Sequence, residues 1–122
     1  MWKKLLLCII PFFIIAWTPT TTTVTSAWTT VCSERVTGAS TVTFKVHNTG
    51  ATNPFTACQV QTWIGPGDDD WALVTVTWST TCSSLAAAGK TWFSLSGQSH
   101  EKLRVQVQST VGTTAYCRPY GQ

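Results

Sequence analysis

Five cysteines, a run of three aspartates, two histidines and seven tryptophans carry the reactive chemistry available to this 122-residue chain. Cys32, Cys58, Cys82 and Cys117 lie roughly two dozen or more residues apart, so the close C-x-x-C pairs of a thiolate zinc site are missing. An even number at that spacing reads as two disulfides, each worth roughly 2 to 4 kcal/mol to a small domain in an oxidising compartment. Four cysteines allow three pairings. The favoured one joins the first and last strands through Cys32 and Cys117, leaving Cys58 for Cys82. Cys8 stands apart: it follows Leu7 rather than a small residue and lies too near Met1 for a lipidation box.

Asp68, Asp69 and Asp70 form the only acidic run. Three carboxylates on a turn can hold a hard cation, but adjacent residues point in different directions and the D-x-D-x-D spacing that converges oxygens is missing. A solvated hairpin tip is expected, with calcium as the minor alternative; no cofactor is expected. His47 and His100 each fall at a strand end or turn without an obvious partner, and no Gly-x-Ser-x-Gly elbow occurs. Glu34 and Glu101 read as solvated charges rather than a glycosidase pair. No catalytic residue is assigned.

Tryptophan is more telling, because one small core rarely needs five such rings. Trp78 sits in the core phase of its strand, whereas Trp63 and Trp92 fall opposite the core-facing residues of theirs, Trp71 opens a strand, and Trp28 precedes one. Exposed indoles stack on sugars or bury into a neighbouring subunit. Trp28, Trp63, Trp71 and Trp92 are therefore the ligand or interface candidates.

The elements that position these residues begin after an export signal. Lys3 and Lys4, an apolar run over residues 5–17 and small residues at Ala16 and Ala27 predict a leader of residues 1–16, with cleavage conceivable as late as residue 27. A bilayer span needs roughly 20 apolar residues and Pro11 interrupts this run, so a membrane is expected only through an uncleaved leader. Residues 17–31 form a Thr-rich arm or linker, suited to O-glycosylation or to pairing with the sheet edge of another copy. The expected location is secreted or extracellular. Charged residues make up 11% of the chain against about 25% in typical domains. Of the formal net charge of +3, Lys3 and Lys4 leave with the signal; the remaining +1 (3 − 2) offers no footprint for nucleic acid.

From Trp28 onward apolar residues recur with period two, punctuated by Gly, Pro, Asn and Asp. TVTFKVHN puts Val42, Phe44 and Val46 on one face; FTACQVQTWI does the same with Cys58, Val60 and Ile64. WALVTVTW has Ala72, Val74, Val76 and Trp78 in one phase, KTWFSLS has Phe93 and Leu95, and EKLRVQVQS has Leu103, Val105 and Val107. With TTVCSERV first and TTAYCRPY last, about seven short strands predict a single immunoglobulin-like antiparallel β-sandwich over residues 32–122.

VTFKVHNTG, a second strand and hairpin, AGKTWFSLSG and EKLRVQVQS together resemble the bacterial cell-adhesion-related (CARDB-type) Ig-like domains, over residues 41–116. That resemblance implies an extracellular, non-catalytic module for adhesion or surface architecture. The four-cysteine framework departs from it. The resulting expectation is a secreted, non-enzymatic subunit that self-associates into a filament or surface layer through its arm and exposed aromatics. The alternative is a carbohydrate-binding or adhesion module with tryptophans contacting a glycan.

Overall fold

A computed structural model describes residues 20–121; the leader, Cys8 and residues 17–19 lie outside the described residues. Among the described residues, alternation of branched and aromatic residues with hydroxyls and amides drives eight strands. They are β1 (Thr22–Val24), β2 (Thr29–Arg35), β3 (Thr41–Asn48), β4 (Ala57–Trp63), β5 (Trp71–Val74), β6 (Lys90–Ser96), β7 (Lys102–Gln108) and β8 (Thr113–Gly121), with a single 3-10 turn at Cys82–Ser84. Two four-stranded sheets form, in the orders β1-β8-β3-β6 and β2-β7-β4-β5, and every pairing is antiparallel.

The all-β antiparallel sandwich is therefore the fold, and its winding is specific. Only the β4–β5 hairpin joins neighbours within one sheet; every other connection crosses to the opposite sheet. An immunoglobulin domain keeps several consecutive strands together in one sheet. The two sheets here follow the strand order of an eight-stranded jelly roll. The additional strand comes from the Thr-rich segment. Thr22, Thr23 and Val24 pair with Ala115, Thr114 and Thr113 of the same chain, and Val24 is fully buried. The sandwich thus starts before Cys32, and residues 22–24 and 29–31 of the expected arm lie in β1 and β2.

The interior is where the two inner faces meet. Phe44 and Phe93 stack with centroids 5.3 Å apart, and Trp78 meets Phe93 edge-on at 4.9 Å. Such pairs add roughly 0.5 to 1.5 kcal/mol beyond area burial. One side chain departs from the simple alternation. Ile64, in phase with Val60, lies beyond the end of β4 and is 62% exposed, because its N–H closes the hairpin on Asp70 O at 2.8 Å. Strand pairing also stops at Val74, short of Trp78, since the chain leaves β4 to cross sheets. Ser79 N–H donates to Trp92 O at 2.8 Å, and the buried Thr91 hydroxyl holds Thr80.

Both disulfides pin the second sheet. Cys32 on β2 bonds to Cys117 on β8 across the sandwich, and Cys58 on β4 bonds to Cys82 in the β5–β6 crossover. Their separations of 85 and 24 residues correspond, on a loop-entropy argument, to about 4.5 and about 3.5 kcal/mol. The Asn48-Thr49-Gly50 turn has a buried basis too. The Asn48 amide donates to Asn53 O at 2.9 Å and Leu85 O at 3.1 Å, and its carbonyl accepts from Thr113 Oγ1 at 2.8 Å and Gly50 N at 3.2 Å. A Cβ on Gly50 would collide with Thr113 Oγ1.

Candidate functional site

The four candidate tryptophans do not converge. Trp63 and Trp71 face each other across β4 and β5 on the outer face of the second sheet. Trp92 lies on the outer face of the first sheet, opposite Lys45. Trp28 precedes β2, 42% exposed, along a shallow groove of about 390 Å³ with Gln59, Leu73 and Trp78.

Trp63 and Trp71 are committed to the acidic hairpin. The Trp63 indole donates to Gly67 O and the Trp71 indole to Asp68 O, both at 2.8 Å. Only glycine fits at position 65, since a Cβ there would run into the Trp63 ring. The Arg104 guanidinium lies 4.2 Å from the Trp71 ring centre and Lys102 Nζ lies 5.7 Å from that of Trp63. These rings are half-buried and partly roofed by cations, which suits bracing of the hairpin more than an open stacking platform.

Asp68, Asp69 and Asp70 do not assemble a cation site. The Asp70 carboxylate turns back to accept from Gly67 N–H at 2.8 Å, and Asp69 faces Arg104. Among the described residues no three His, Cys, Asp or Glu side chains are grouped to hold a metal. Several of the remaining polar side chains on the outer face of the second sheet satisfy one another. Gln59 donates to Gln106 at 2.7 Å, Gln106 donates to Thr30 at 3.1 Å, and Arg104 Nε donates to Gln61 at 2.7 Å. At the hairpin end Arg35 pairs with Glu101 at 2.7 Å in the open, and His100 Nδ1 lies 2.9 Å from Thr62 Oγ1.

The outer face of the first sheet has a different chemistry. Because Val42, Phe44, Val46, Thr91 and Phe93 point inward, their neighbours Thr43, Lys45, His47, Lys90, Trp92 and Ser94 point out. Register sets Lys45 between Trp92 on β6 and Arg118 on β8, and His47 between Lys90 and Tyr116. Trp92 is 50% exposed, and Thr43 and Ser94 share a hydroxyl hydrogen bond of 2.7 Å beside it. The Arg118 guanidinium lies 4.9 Å from the Tyr120 ring centre. His47 titrates below the ordinary imidazole value: burial is the largest cause, followed by Lys90 and then Lys45, against a backbone hydrogen bond to Ala88 that raises it. Sequence reading singled out Trp92 but missed the cations around it. Lys45 and His47 alternate visibly, whereas Lys90 and Arg118 join them only through strand register.

Among the described residues no helix is long and apolar enough to cross a membrane. The two disulfides are consistent with an extracellular protein. No protein-family model and no curated protein matches the chain. Among solved structures, that of the SPBc2 prophage-derived protein YomS is similar, with 13% sequence identity and a TM-score of 0.49, covering 87% of this chain and 96% of that one. The likeness adds nothing to the fold, which rests on this chain's own strand pairing.

Proposed function

We propose that the chain is an exported, non-enzymatic binding module that holds an extracellular polysaccharide on the outer face of its first sheet, around Trp92. The observation that carries this reading is the half-exposed Trp92 ring on a sheet face lined by Thr43 and Ser94 hydroxyls. An indole supplies a broad apolar surface for a sugar ring, and flanking hydroxyls exchange hydrogen bonds with sugar hydroxyls without displacing a tightly hydrated charge. Export follows from the leader and agrees with the disulfides. Trp92→Ala should lower binding on a polysaccharide array at least tenfold while leaving the thermal midpoint within a few degrees. Undiminished binding by that variant would remove the reading.

Self-assembly into a filament or surface layer is the second reading, and β1 favours it. That strand is held by three residue pairs and reaches β2 through residues 25–28. Exchange of β1 between copies would seat Val24 in a neighbour's interior, and head-to-tail exchange of that kind does not close. Cleavage after Ala27 would discard β1, so this reading goes with a cut after Ala16. Sedimentation velocity decides it: a monomer at every concentration, with residues 17–28 present, ends the assembly reading.

A further inference from the structure

The chain's small net charge hides a strong segregation. Six cations and five carboxylates remain after Lys3 and Lys4 are set aside. Glu34 lies on β2, Asp68, Asp69 and Asp70 lie on the β4–β5 hairpin, and Glu101 lies beside Arg35 at the entry to β7. All five carboxylates therefore belong to the second sheet or its loops. Lys45, Lys90 and Arg118 belong to the outer face of the first, with His47 among them, and no Asp or Glu occurs on β3, β6 or β8.

We infer that the polysaccharide held on the first sheet is an anionic one, its acidic groups bound by Lys45 and Lys90 while a sugar ring stacks on Trp92. This deepens the binding-module reading and rests on it. Lys45 lies directly across from Trp92, and Lys90 lies across from His47, two residues further along β3. Diagonal neighbours in an antiparallel pair are about 7–8 Å apart, so an ammonium borders the indole on one side and a second follows within about one sugar length. Both lysines are exposed. The roughly ten-ångström screening length at moderate salt leaves the acidic hairpin of the opposite sheet little influence here. A duplex nucleic acid would draw on many more phosphate contacts than this face offers. The Thr and Ser rows suit sugar hydroxyls instead.

His47 provides an internal reporter. The charged groups facing it are Lys45 on its own strand, Lys90 on β6, and Arg118 one register step away on β8; Tyr116 is the titratable neighbour on β8. Burial is the largest cause that holds His47 down and Lys90 and Lys45 add to it; an anion bridging the two lysines would relieve their part, so its pKa should rise on binding, and by linkage affinity should increase as pH falls.

The test uses the mature chain and four probes: alginate, dextran sulfate, neutral dextran and a single-stranded oligonucleotide. Affinity electrophoresis should show retardation by both acidic polysaccharides, weakening at least tenfold in Lys45→Ser/Lys90→Ser and between 50 and 200 mM salt on the order expected for a few released counterions. Lys102→Ser on the opposite sheet should leave retardation unchanged. NMR titration of His47 should show its pKa rising with alginate and staying put with dextran. Equal, Trp92-dependent binding of neutral dextran would overturn the inference and leave the binding-module reading standing. Tighter binding of the oligonucleotide would overturn the choice of partner. No retardation by any polysaccharide would overturn both. Unchanged thermal midpoints in the lysine variants exclude misfolding as the cause of a loss.

Discussion

The two outer faces of this sandwich are built from the same kind of alternating strand, yet they use their polar residues differently. On the second sheet Gln59, Gln61, Gln106 and Arg104 bond to one another or to Thr30, and Arg104 and Lys102 lie over Trp71 and Trp63. That face directs its chemistry toward holding itself and its hairpin together. On the first sheet, Lys45 and Lys90 stand as like charges beside His47 and an exposed indole, a costly arrangement for the isolated fold. A composition near neutrality therefore reports neither face, because it averages a self-neutralised surface with a cationic one.

The largest effect should come from severing what couples the faces. Cys32→Ser/Cys117→Ser removes the bridge between β2 and β8, and chemical denaturation should report about 4 kcal/mol lost. Separate transitions for the two sheets, instead of one cooperative transition, would break the picture of a single unit. Asn48→Ala should follow at about 2–4 kcal/mol, since four buried or part-buried partners lose their bond at once. A loss below about 1 kcal/mol would mean that water replaces the amide.

The contrast between the faces is tested more sharply by Trp71→Ala. Losing the indole bond to Asp68 and the Arg104 contact should cost about 1–2 kcal/mol by denaturant titration while polysaccharide retardation stays as it was. A loss of binding with stability intact would move the site to the second sheet. The smallest effect concerns pH. Because the folded pKa of His47 lies below its ordinary 6.5, the unfolded chain takes up that proton first as pH falls. Its share of stability is complete above about 6.5 and is lost as pH drops toward the folded pKa. His47→Gln should flatten that part of the stability profile; an unaltered slope would mean that neither burial nor the lysines hold the histidine down.

Much of the interior was legible in advance. Val42, Phe44, Val46, Val60, Phe93, Leu103, Val105 and Val107 all fall in the inward phase that alternation assigns them, and all are buried. Period two encodes the face of a strand, because successive side chains must point to opposite sides. It does not encode where a strand ends, which is why Ile64 was placed inside and is exposed. It also says nothing about winding. Nor could three residues of a threonine run announce β1, since Thr22–Val24 becomes a strand only by finding β8, some 90 positions away in the chain.

The chain by itself determined the all-β class, the inward set of its long strands and the need to oxidise four cysteines, because alternation and cysteine number are local or additive properties. Tertiary structure alone decided the jelly-roll order, the division of the tryptophans between two faces and the gathering of Lys45, Lys90 and His47 into one patch. Each of those depends on which strands lie side by side. Register between residues forty or more positions apart is set by closure of the whole core, and no window of sequence contains it.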